Sequence, residues 1–348
     1  MGSPSANRLP HSSGAEQAGQ REKTVHLETL PDNPAASLEA ARSKSIDGKA
    51  ICLFYGVTFG LGLSLSLPLW ESGQGLRQPS ARILLGAMLF APAVGVLVVR
   101  LLLPKSVVPF VQTTGLGIGQ WPRSLGYWIF GWFGLTIIGL AAPFVGALLG
   151  MCHLDLENFS GYRHLLLQRP GGEAALARYP IHTLLIIQFA SLLIAPGINA
   201  ILAFGEEWGW RGFLLPKLLP LGQWPALLLT GALWGLWYSP VILLGYDYPF
   251  HPKFGIILMT IFCVIFGVLL GWLRLATGSI WPSAIGQGAL KAAGGFFYVV
   301  ADADQTIDTA SVTILGWTGW ILPLLVILLL VVLKRLPTTE LPGRLFRD

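Results

Sequence analysis

Two adjacent glutamates and an arginine, Glu206, Glu207 and Arg211, stand in the stretch FGEEWGWRGFLLPKL (residues 204–218), inside an otherwise apolar part of the chain. A carboxylate held in such surroundings does one of two things. It acts on a water or a proton as a general base, or it pairs with a cation and stays inert. Glu207 and Arg211 are four residues apart, so on a helix they share a face, with the acid N-terminal to the base as that pairing favours. Glu206 then points roughly 100° away. A charge deep in a membrane helix costs about 2.5 to 3.5 kcal/mol on insertion scales, so these groups need either an interfacial position or a polar interior to face.

Two later stretches supply that interior. ALWGLWYSPVILLGY carries Trp234 and Tyr238 four apart, and SIWPSAIGQGALKAAGG carries Ser283, Gln287 and Lys291 at successive four-residue steps along one helical face. A polar stripe that ends in a lysine within a spanning helix requires partners in the bundle. The acids within reach are Glu206 and Glu207, and with Arg211 and Lys291 the intramembrane set sums to zero charge. Lys291 is expected to pair with one of the two glutamates. A Ser283–Lys291 catalytic pair is disfavoured, because the two lie two helical turns apart and neighbouring acids raise a lysine pKa when a base needs it lowered.

The elements that must position these groups follow from composition. The chain has 348 residues, 53% hydrophobic and 12% charged, with a mean hydropathy of +0.62. Soluble domains carry about twice that share of charge, so the expectation is an all-α, polytopic membrane helix bundle. Apolar runs near the roughly 20 residues needed to cross a bilayer recur at 49–70, 82–103, 125–150, 181–204, 224–244, 255–275, 279–300 and 312–333, predicting about eight transmembrane helices. Residues 1–46 are polar and read as a disordered cytoplasmic tail. Residues 47–336 form the transmembrane domain, with its motif core at 180–300, and 337–348 form a second cytoplasmic tail. Under this count Lys and Arg concentrate on the face holding both termini, including Arg100, Lys105, Arg123, Lys217 and Arg274, which places both termini in the cytoplasm. The net charge of +5 is therefore a topology signal and gives no reason to expect nucleic acid as a partner. Gly56 and Gly60, Gly231 and Gly235, and Gly267 and Gly271 have the four-residue spacing that lets helix backbones approach closely. Cys52, Cys152 and Cys263 form no spaced pair and read as small packing residues.

In order, spacing and flanking residues, the three polar stretches resemble the signature motifs of the CPBP family, the CAAX-protease and bacteriocin-processing intramembrane endopeptidases also called the Abi family. Glu206, Glu207 and Arg211, followed by RGFLLPKL, match the first motif, and the likeness covers roughly residues 180–300. The resemblance implies a helical membrane fold whose members cleave peptide bonds near the membrane surface, with membrane-associated or prenylated CAAX proteins as one substrate class. It also implies a glutamate base acting on water held by histidines or by a zinc they bind. Trp234 fits the second motif, but Tyr238 stands where that motif has histidine. In the third motif Gln287 stands for histidine and Lys291 for Asn or Asp. Tyr and Gln are poor zinc ligands and an ammonium repels a dication, so no metal or other cofactor is expected here. His182 is the one histidine at a predicted helix, and it reads as interfacial. The expectation is a catalytically impaired or non-catalytic relative that binds a peptide or partner among membrane lipid, as an immunity or scaffold factor. The alternative is an active endopeptidase with Glu206 as general base. Transport along the polar stripe is disfavoured by the lack of a repeat relating the two halves.

Overall fold

The computed structural model describes residues 46–104, 109–119 and 121–336. The two predicted tails lie outside the described residues, apart from the first's last residue, Ile46. By internal contacts the chain divides at Arg42, and every described residue belongs to the second unit, Ser43–Asp348.

Among the described residues every element is helical, save one antiparallel bridge between Leu154 and Ala301. The helices that position the site are α1 (Gly48–Glu71), α2 (Ala81–Met88), α3 (Ala91–Leu102), α4 (Leu125–Leu148), α5 (Ile181–Leu221), α6 (Gln223–Trp237), α7 (Pro252–Thr277), α8 (Trp281–Ala293) and α9 (Ile321–Val332). All eight predicted segments are helical, but the count of spans differs. Five stretches are long and apolar enough to cross a membrane, or six if the pair α2 and α3, bent by 42°, counts as one. The other two, α6 with 15 residues and α8 with 13, are short. α6 packs against α7 and α8 against α5; α8 is buried almost throughout, and a helix buried in protein is as apolar as one in lipid without needing its length, whereas α6 also leaves Leu228, Leu229 and Leu236 exposed.

α5 also departs from expectation. It does not end before the acidic motif but runs through it, 41 residues from Ile181 to Leu221, with a π-helical turn at Trp208–Leu214. It stops at Gly222, whose φ of +99° suits glycine far better than an L side chain. Such π turns often mark functional sites, because the extra residue re-aims side chains.

Glycines bring the backbones around the site close together. A Cβ on Gly231 would lie 2.6 Å from the Cα of Val264, and one on Gly235 would strike the backbone of Thr260, so α6 crosses α7 without intervening side chains. Gly288 of α8 rests on the backbone of α5 at Pro196 and Ala200, and Asn199 Nδ2 donates to the Gly288 carbonyl at 3.2 Å. Gly205 sits against the bend between α2 and α3, where a Cβ would lie 2.6 Å from the Leu89 oxygen. Gly267 and Gly271 pack against Gly231 and Leu227 as their spacing suggests, whereas a Cβ on Gly56 or Gly60 would meet nothing within 4 Å.

Candidate functional site

Glu206, Glu207, Arg211, Tyr238, Gln287 and Lys291, the six site residues expected from the sequence, converge, and Trp234 stands among them. α5 supplies Glu206 and Glu207, its π-helical turn supplies Arg211, α6 supplies Trp234 and leads into Tyr238, and α8 supplies Gln287 and Lys291. α8 runs antiparallel to α5. Phe204 stacks on Trp281 near one end of the pair, and Phe189 packs on Phe296 beyond the other. Helical side chains lean toward their own N-terminus, which carries the Lys291 ammonium back along α8 to the level of Gln287.

Glu206 is fully buried and accepts from four donors. Oε2 takes Trp234 Nε1 at 2.7 Å and the Tyr238 hydroxyl at 2.8 Å, and Oε1 takes Gln287 Nε2 and Lys291 Nζ, each at 2.8 Å. A carboxylate offers about four lone-pair positions, so this one is saturated. Glu207, equally buried, binds Arg211 Nη1 at 2.6 Å. The Arg211 guanidinium lies 4.2 Å from the centroid of the Trp234 ring, a cation–π contact. Trp234 therefore touches both acid–base pairs, one through its N–H and the other through its face. Glu207 Oε2, Arg211 Nε and Nη2, and Gln287 Oε1 are enclosed without a hydrogen-bond partner.

Exposure is uneven. Glu206, Glu207 and Arg211 are closed off, and the Lys291 side chain is 30% exposed. The sequence reading missed Asp247, in the loop between α6 and α7. Tyr246, its neighbour in sequence, stacks on Tyr238 with ring centroids 6.4 Å apart. Thr309 Oγ1 donates to the Asp247 carbonyl at 2.6 Å, and Asp247 has a φ of +61°. Its carboxyl is raised to about 7 by burial, offset in part by the nearby Lys291 charge. A lone acid between tyrosines in a loop carries no sequence signal that sets it apart. Asp247 belongs to the end of the bundle opposite Lys217 and Asp47, which pair at 2.8 Å. The exposed edge of the site therefore faces away from the end where α1 begins.

Ser283, expected to extend the polar stripe, instead donates to the Leu270 carbonyl of α7 at 2.8 Å and does not touch the carboxylates. His182 packs edge-on against Phe159 and is remote from the site.

The donor set does not fit the metal that the family resemblance implies. Both oxygens of Glu206 are occupied and an ammonium stands at 2.8 Å. Glu207 is bound to a guanidinium, and among the described residues no three His, Cys, Asp or Glu side chains gather to hold an ion. A dication here would have to displace Lys291 against its charge.

Compared with known families, residues 183–293 match the family described as Rce1-like, Type II CAAX prenyl endopeptidase. That stretch spans all six site residues and nearly all of α5 to α8. No curated protein matches the chain.

Proposed function

We propose, from the match of residues 183–293 to the Rce1-like family, that this integral membrane protein is a non-catalytic relative that binds a membrane-embedded or prenylated peptide or protein, as an immunity or scaffold factor. One observation carries the reading: all four acceptor positions of Glu206 are filled, one of them by the ammonium of Lys291. A general base must accept a proton from water, and water must come within about 3 Å of a free lone pair. Glu206 offers none. Glu207 is held by Arg211 inside the same helix, so it cannot take over the task without losing its counter-ion.

Tyr238, Gln287 and Lys291 occupy the positions where the family motifs carry histidines and an Asn or Asp, and here they fill the site with donors. The protein works without zinc, and its termini face the cytoplasm, as the distribution of Lys and Arg favours.

The test is cleavage. The purified chain in lipid bilayers, given prenylated CAAX peptides, should release no more product than its Glu206→Ala variant. Elemental analysis of the same sample should find no stoichiometric zinc. Turnover that vanishes in Glu206→Ala would overturn the proposal.

A further inference from the structure

We propose that the loop between α1 and α2 seats the phosphate of a membrane phospholipid, held by Arg77 and by the backbone N–H groups of Gly75 and Leu76. The seat stands apart from the reading of Glu206 and would serve a catalytic or a non-catalytic chain alike.

Its depth in the membrane comes from α1. That helix is capped by Asp47, which also pairs with Lys217, and runs 24 residues to Glu71. At 1.5 Å per residue the helix is about 36 Å long against a hydrocarbon core of about 30 Å, so the loop after it stands at the level of the lipid headgroups. Trp70, in the last turn, is 44% exposed and donates Nε1 to the Pro240 carbonyl at 3.0 Å. An indole at the end of a span, with its N–H in the protein and part of its ring facing out, anchors a helix at that depth.

The loop and the turn after α6 border an open cavity of about 610 Å³, within the range of small-molecule sites. Leu69, Leu76 and Leu244 give it apolar walls, and Arg77 lines it. Arg77 pairs with no carboxylate among the described residues, and Glu71, the acid at the start of the loop, does not line the cavity. Gln74 is right-handed (φ −91°, ψ −17°) and Gly75 left-handed (φ +58°), an alternation that turns successive N–H groups to one side and makes a concave seat for an anion. The Gln74 N–H is taken by Ser72 Oγ at 3.2 Å, whereas those of Gly75 and Leu76 meet no acceptor among the described residues. A guanidinium and two free N–H groups suit a phosphate, and the leucines suit the first carbons of acyl chains. Phosphate dissolved in water would gain nothing from the leucines or from the depth, which favours a lipid as the source. Trp70 also ties the seat to the candidate site, because Pro240 lies two residues after Tyr238, a donor to Glu206.

The experiment counts lipid on the full chain by native mass spectrometry in dodecyl maltoside. Didecanoyl phosphatidylglycerol, the matching didecanoylglycerol without phosphate, and inorganic phosphate are the probes. Wild type should retain the phosphatidylglycerol and not the didecanoylglycerol, and an equal concentration of inorganic phosphate should not displace it. Arg77→Gln should bind the lipid about tenfold more weakly, the effect of losing one charge-assisted contact. Gly75→Ala, which keeps the charge but strains the turn, should weaken binding too. Arg82→Gln, exposed and outside the cavity, should not. Should Arg77→Gln not fold, a phosphatidylglycerol with a photoreactive acyl chain should still label wild type within residues 69–77 or at Leu244. Equal binding by wild type and Arg77→Gln, equal retention of didecanoylglycerol, or label elsewhere would overturn the proposal. So would an equal loss in Arg82→Gln, which would reduce the seat to surface charge, and displacement by inorganic phosphate, which would make it a site for the free ion.

Discussion

Glu206 and Glu207 are neighbours in sequence, equally buried, and held in opposite ways. Glu207 is satisfied within its own helix by Arg211, through one short contact that the π-helical turn permits. Glu206 is satisfied by three other segments at once: α6 through Trp234, the residue after it through Tyr238, and α8 through Gln287 and Lys291. The first pair stabilises a turn. The second set ties helices together, and its one exposed member, Lys291, is the point at which it can be opened. One acid is thus local and sealed, and the other is distributed and addressable from outside.

The strongest test of that difference removes Arg211. With Arg211→Met, Glu207 is left in a sealed position with no cation, and breaking a buried pair this way costs about 3 to 5 kcal/mol. The cation–π contact with Trp234 goes as well. Unfolding in detergent should show a loss of this order, and Glu207→Gln in the same background should recover much of it. A loss below about 1 kcal/mol would mean that the pair is not sealed.

The next effect should be smaller. Lys291→Ala leaves Glu206 with three donors, and the lost partner was partly solvated, so about 1 to 3 kcal/mol is expected. Adding Glu206→Gln should restore part of it, because a neutral amide can turn to suit the remaining donors. If the double variant is no better than the sum of its singles, Lys291 is not the partner that matters.

The sequence made the charged cluster visible because charges within apolar runs are costly and must find one another. All six site residues were found that way. The four-residue spacing already pointed to Glu207 with Arg211, as observed; what it left open was which glutamate takes Lys291, since that depends on how α8 lies against α5. The helical fold was equally legible. The number of spans was not, because α8 is apolar for burial in protein rather than in lipid, and the two demands select the same residue types. Ser283 lies on the same stripe but outside the site, because four-residue spacing drifts around the helix and after two turns it faces α7 instead of α5. Asp247 was missed because loop acids are ordinary, and only the fold brings its loop to the site, through Tyr246 stacked on Tyr238.

A third carboxylate sharpens the comparison at the smallest scale. Like Glu206, Asp155 has four donors: the backbone N–H groups of Glu157, Asn158 and Ser160 at 3.2, 2.8 and 3.0 Å, and the Ser160 hydroxyl. Unlike Glu206 it stands in a solvated loop, where water competes for every bond. These donors, led by Ser160, lower its carboxyl to about 2 from an ordinary value of 3.8. Since the folded value lies below the unfolded one, its contribution is complete above about pH 4 and is lost as pH falls through 2. Asp155→Asn keeps the shape and gives up the charge. It should raise amide exchange at residues 157–160 at neutral pH without shifting the global unfolding transition, and the difference from wild type should shrink as pH drops below 4. If the substitution lowered global stability as much as Lys291→Ala does, the number of donors would matter more than burial, and the distinction drawn between the site's carboxylates and those of the loops would fail.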